Sequence, residues 1–472
     1  MNYEYNEYDE EELRRINRHK KKVRNRAIAI IVFILLLAIV IGGISFIIYK
    51  FVSDAAVKAS ISASLSASES AASASEQEDI NSIIESLLSE EEEVVDPVEP
   101  QETEKTAEEL LELEVSNLIS QMSIGEKVAG LFIISPEQLS DVELAVKAGE
   151  GTKNALSEYA VGGLIYSTDN VLSKEQFKEM TANTNDFAKF KLFTCFNEGF
   201  AKEGLLASKL SLDTTKEVKE ILDSMDPYNA YIEGKIIADN LSDYGLNSTF
   251  GLHNLTIEPS FDEEGNVKES EEKALFGNDW VIAGQMASQA VKALSEEGVV
   301  SFASTFPNAG NGDDSNKKTS ELTKEQFTEN GLNVFKACLD SGLEGIVVGN
   351  VYVPNMTKDE LPASLSREFM TDYVRIELGF TDAILITDKL SNPEIADYYS
   401  AKEACVMAIK AGADMVMCPE YFKEAYLGVL EAVSNKEISE ERIDQSLMRI
   451  LKAKYAKSST DAEDASEAND EE

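Results

Sequence analysis

AILITDKLSNPEIADYYSAKEACVMAIKAGADMVMCP, residues 383–419, reads as a strand, a helix and a second strand. AILITD (383–388) and ADMVMCP (413–419) are short apolar runs, and AKEACVMAIKAGA between them is helix-like. Working outward, the same kind of run recurs as VAGLFIIS (128–135), VGGLIYST (161–168), LFTCFN (192–197), NSTFGL (247–252), VVSFASTF (299–306) and GIVVGNVYV (345–353). Helix-like stretches such as DWVIAGQMASQAVKALSEEG stand between them. Eight buried strands alternating with helices predict an α/β fold, a (β/α)8 barrel of TIM type over residues 113–457. A doubly wound open sheet gives a similar alternation, and pattern alone does not separate the two. In a barrel, chemistry gathers at the C-terminal ends of the strands.

The remaining chain is not barrel-like. Ala27 to Tyr49, AIAIIVFILLLAIVIGGISFIIY, carries no charge. It is long enough to cross a hydrocarbon core of about 30 Å. Its N-terminal flank is basic, from Arg14 to Arg26, and its C-terminal flank turns polar and acidic after Lys50. The positive-inside rule then predicts a cytoplasmic tail at 1–26, a single transmembrane helix at 27–51, and an extracellular remainder at the cell membrane. A cleaved signal peptide is the competing reading, because the Ala/Ser-rich stretch after Phe51 offers a small-residue cleavage site. Residues 52–112 begin as SISASLSASESAASASE and end acidic, a composition too polar to bury a core. They read as a disordered stalk, and 458–472 as an acidic disordered tail.

The net charge is −43, and the part after the apolar stretch is close to −46. Binding nucleic acid or lying on an anionic lipid surface needs the opposite sign, so neither is expected as a partner. The four cysteines, Cys195, Cys338, Cys405 and Cys418, match no zinc or disulfide spacing. No phosphate loop, dinucleotide fingerprint or metal-ligand cluster occurs, so no cofactor is expected. Only two histidines exist, His19 and His253.

Six stretches in order resemble the N-terminal barrel of family 3 glycoside hydrolases, in its bacterial β-N-acetylhexosaminidase branch. They are ISQMSIGEKVAGLF, VGGLIYSTDNVLSKEQ, LFGNDWVIAGQMA, LPASLSREFMTDYVRIELGF, AIKAGADMVMCP and ISEERIDQSLMRILKAKY, which together run over nearly all of 113–457. The resemblance implies retaining hydrolysis of a β-glycosidic bond, with a carboxylate nucleophile and a proton donor for the leaving oxygen. It implies cell-wall or other N-acetylglucosamine-containing glycan as the substrate.

Carried over residue by residue, the nucleophile falls on Asp388 of the Thr387–Asp388 pair. An Asp capping the helix that starts near Ser391 and Pro393 is the structural alternative. The rest of the pattern departs from the family. Its third-strand Asp-Gln-Glu-Gly-Gly is Phe196-Asn197-Glu198-Gly199-Phe200 here, leaving Glu198 as a candidate sugar ligand and suggesting a rebuilt pocket floor. Its fifth-strand Lys-His-Phe-Pro-Gly-His-Gly-Asp is Ser304-Thr305-Phe306-Pro307-Asn308-Ala309-Gly310-Asn311. Its sixth-strand His is Asn350, a second candidate ligand, and His253 at the end of the fourth run is a third. The donor His has no counterpart in the loop NGDDSNKK, where Asp313 and Asp314 are the substitute acids and a solvated loop is the alternative. General acid–base catalysis contributes roughly 10²–10⁴ in rate. The expectation is therefore a family 3 relative that is catalytically impaired, or a non-catalytic module that binds glycan or a protein partner.

Overall fold

The computed structural model describes residues 106–467, apart from 201–203, 225, 258–273 and 311–316. The predicted membrane helix, the cytoplasmic tail, nearly all of the stalk, and Asp313 and Asp314 lie outside the described residues. Among the described residues, no helix is long and apolar enough to cross a membrane.

All eight predicted strands are present. They are β1 (Phe132–Ile134), β2 (Gly163–Tyr166), β3 (Phe193–Gly199), β4 (Ser248–His253), β5 (Val300–Phe306), β6 (Gly345–Val348), β7 (Ile384–Thr387) and β8 (Val416–Met417). Every pairing is parallel, in the order β7-β6-β5-β4-β3-β2-β1-β8. The two ends meet through a parallel bridge between Ile386 and Met415. Thr387 Oγ1 reinforces this seam by accepting from the Met417 N–H at 3.1 Å. Closure of a parallel sheet on itself selects the barrel over the open sheet.

Short apolar strands fold this way because both of their faces are covered. Facing inward, Phe193, Phe250 and Phe302 meet with ring centroids 5.4 and 4.9 Å apart. The outer ring includes α1 (Ala107–Gln121), α2 (Lys174–Phe187), α3 (Leu205–Leu210), α4 (Pro227–Ser242), α5 (Trp280–Glu296), α6 (Leu332–Leu339), α7 (Ala401–Ala411), α8 (Phe422–Ser434) and α9 (Glu440–Glu467). Their starts are written locally. Thr106, Ser173 and Ser400 close capping boxes with Glu109, Gln176 and Glu403, and Asp279 accepts from Val281 and Ile282 N–H at the head of α5. Helix α1 begins within the expected stalk, and α9 continues into the expected tail as far as Glu467.

Helices α1 and α9 pack together across the N-terminal face of the barrel. From α9, Arg449 Nε reaches Thr381 O ahead of β7, and Lys454 Nζ reaches Gly162 O ahead of β2. Beneath β7 and β8 lies Asp414, fully buried. Its carboxylate accepts from Ser446 Oγ (2.7 Å), the Leu385 N–H (2.9 Å), Arg449 Nη1 (3.1 Å) and Arg375 Nη2. This network fixes the base of the two strands whose other ends carry the candidate nucleophile.

Candidate active site at the barrel mouth

Asp388 follows β7 directly, at the C-terminal rim of the barrel. Its N–H donates to Val348 O at 2.9 Å, which pins it to the end of β6. Its Oδ1 accepts from the Lys389 N–H at 2.7 Å. The next helix, Pro393–Ala396, takes Asn392 as its N-cap, so Asp388 does not serve as that cap. Burial pushes the Asp388 carboxyl up. The Lys389 N–H and the charges of Lys318 and Lys389 pull it down, Glu394 pushes it up again, and it stays above the ordinary aspartate range. A half-buried carboxylate at a strand's rim fits a nucleophile position.

The other sequence-predicted ligands sit around the same rim, each tied to the protein. Asn350 is 5% exposed; its Nδ2 donates to Lys389 O at 2.9 Å and its Oδ1 accepts from Ser364 Oγ at 2.7 Å. It braces the turn that carries Asp388. His253 Nδ1 lies 2.9 Å from Ser304 Oγ, linking the ends of β4 and β5. Glu198 is 1% exposed. Its two oxygens accept from Leu206 N–H (2.6 Å) and Ala207 N–H (3.0 Å) at the start of α3. Burial pushes its carboxyl up to about 7 even against these two bonds. The structure therefore gives Glu198 a capping role that its place in the sequence motif did not suggest.

The two phenylalanines expected to rebuild the pocket floor pack on other aromatic rings. Phe196 meets Phe177 of α2 edge-on at 6.1 Å, and Phe200 meets Phe276 at 5.2 Å. Strand alternation explains this: with Phe193 and Cys195 on the barrel side, Phe196 falls on the helix side.

Sequence reasoning missed Lys318 and Glu394. The Lys318 Nζ and Glu394 Oε1 are 2.9 Å apart, and both charges act on Asp388. Lys318 arrives from the loop after β5, and Glu394 from the short helix after β7. The only signal in the chain was a Lys317–Lys318 pair inside an otherwise acidic sequence.

Comparison with known proteins identifies the domain. The model of the glycosyl hydrolase family 3 N-terminal domain matches residues 123–453. A β-hexosaminidase of Nitrosomonas eutropha is 25% identical over 272 residues, which is 56% of this chain and 74% of that protein. A β-N-acetylglucosaminidase/β-glucosidase of Cellulomonas fimi is 24% identical over 193 residues, 38% of this chain and 34% of the relative. A periplasmic β-glucosidase of Salmonella typhimurium is likewise matched over only 41% of its length. The chain thus spans about a third to two fifths of these last two relatives. Among solved structures, a family 3 β-N-acetylglucosaminidase from Paenibacillus superposes with a TM-score of 0.60 at 24% identity, covering 71% of this chain and 63% of that one. At that identity the superposition speaks for the fold alone. With the family model covering every strand of the barrel, this chain belongs to glycosyl hydrolase family 3, as its N-terminal domain.

Proposed function

We propose that this protein engages N-acetylglucosamine-containing glycan of the cell wall at the Asp388 rim, from the outer side of a membrane in which Ala27 to Tyr49 anchors it. Asp388 is the nucleophile of this reading, and hydrolysis of ordinary glycosides is impaired. The observation that carries the reading is the placement of Asp388. It is a half-buried carboxyl at the end of β7, braced by Asn350 through the Lys389 carbonyl and committed to no helix cap.

The impairment follows from the neighbours. Ser304 and Thr305 stand on β5 where the family pattern has Lys and His, and Asn350 stands for His. Each lost contact and the lost proton donor act on the transition state, where general acid catalysis alone is worth roughly 10²–10⁴ in rate. The β-hexosaminidase and β-N-acetylglucosaminidase names of the relatives support the choice of sugar.

Two measurements test this. Chito-oligosaccharides should raise the melting temperature of the full chain, and 4-nitrophenyl N-acetyl-β-glucosaminide should release phenol slowly or not at all. No thermal shift with any chito-oligosaccharide or muropeptide would remove the glycan reading and leave a protein partner in its place. Brisk phenol release that is lost in Asp388→Asn would overturn the impairment.

A further inference from the structure

His253 and Ser304 close two adjacent strands. They are register partners across β4 and β5, and His253 Nδ1 lies 2.9 Å from Ser304 Oγ. The backbone beside them is tied down. The Asn254 N–H donates to Ser304 O at 2.6 Å, and the Leu275 N–H donates to Asn254 O at 2.8 Å. Two strand ends thus hold a hydroxyl and an imidazole at a set separation.

The pair belongs to the inside of the barrel mouth. Ser304 is two residues beyond Phe302, whose ring meets Phe193 and Phe250 within the barrel. Alternate residues of a strand share a face, so Ser304 continues that side. The shift of β5 against β6 begins only after Ser304. Ser304 is 9% exposed and His253 is partly buried, so the pair is not sealed in the core. A serine hydroxyl is a weak nucleophile until a base stands within hydrogen-bond reach. With the ring proton on Nε2, His253 Nδ1 accepts from the Ser304 hydroxyl and is that base. The family pattern has Lys at the position of Ser304, so the pairing is a property of this chain.

We propose that Ser304 and His253 are a nucleophile–base pair that cleaves a small acyl ester, namely an O-acetyl group on a glycan seated at the rim. The choice of a sugar ester rests on the glycan reading above, whereas the pair itself does not. Ser304 Oγ bonds to the carbonyl carbon as its proton passes to His253 Nδ1. The bond from that carbon to the sugar oxygen then breaks, and the oxygen leaves with the proton from His253. Water next attacks the acetyl-serine carbon and gives a proton to His253. The bond to Ser304 Oγ breaks, Ser304 takes its proton back from His253, and acetic acid departs.

The test treats the full chain with diisopropyl fluorophosphate, which phosphorylates a base-activated serine, and maps the adduct by peptide mass spectrometry. One adduct is expected, on Ser304. Its rate of formation should fall by roughly 10²–10⁴ in His253→Gln, and 4-nitrophenyl acetate turnover should fall in parallel there and in Ser304→Ala. Circular dichroism checks that each variant is folded, and the wild-type map needs no variant. No adduct on wild-type Ser304, or an undiminished rate in folded His253→Gln, overturns the proposal and leaves the pair a strut between strand ends. An adduct on Ser304 with no acetate released from O-acetylated chitobiose upholds the pair and removes the sugar ester as its substrate. The glycan reading is decided separately, by the thermal shift.

Discussion

Glu198 is buried at the end of β3 against the start of α3. Its carboxylate is spent on two N–H groups of α3, in a site so dry that its proton affinity rises to about 7 from an ordinary 4.5. Between those values the folded state holds a proton that the unfolded state has released. Stability contributed by this group therefore falls as pH rises from about 4.5 through 7. Glu198→Gln should flatten that slope, while its single acceptor oxygen leaves one of the two N–H groups unpaired at a cost of about 1–3 kcal/mol, measured by urea unfolding at each pH. At Asp414 the buried carboxylate is met by arginines. Burial brings Arg375 down to about 10, against the opposing pull of Asp414, and Arg449 and Ser446 complete the cage. Asp414→Ala leaves buried arginines without a counter-charge and should cost about 3–5 kcal/mol in the same assay. The sequence motif AIKAGADMVMCP marked the stretch that holds Asp414, but Arg375 and Arg449 come from two distant helical segments that only the fold brings together.

At the level of elements, the strands were legible because a strand covered on both faces must be apolar throughout, and eight such runs stood out against a charged chain. The rim was less legible, because its groups come from loops. Asp388 could be found, since a strand carries it. Lys318 and Glu394 could not, since loop backbone has no period to read and their meeting depends on barrel closure. Neither could the direction of Phe196, because the register of β3 decides which side it faces and β3 is irregular. Its pairing with β4 shifts between Phe196 and Gly199. There Gly251 lies so close to β3 that a Cβ would sit 1.8 Å from the Glu198 carbonyl oxygen. Gly251→Ala must push the two strands apart and should destabilise by about 3 kcal/mol, read from the urea midpoint at unchanged slope.

For the molecule as a whole, the compact unit runs from Thr103 onward. Chains beginning at Met1 and at Thr103 should therefore melt at the same temperature. A chain beginning at Met122 lacks α1 and with it the buried Val115 and Ile119. It should lose roughly 3–6 kcal/mol, at about 1.5–3 kcal/mol for each side chain, as judged by denaturant unfolding. The same helix has a geometric meaning. Helices α1 and α9 both lie across the N-terminal face, joined by Lys452 and Glu108 at 3.1 Å, while Asp388 opens at the other end of the strands. Both ends of the domain are thus gathered on its back. A bead, a fluorescent fusion or a lipid leash attached at either end leaves the rim pointing outward, so a polymer too large to enter a cleft from the side can still be met end-on.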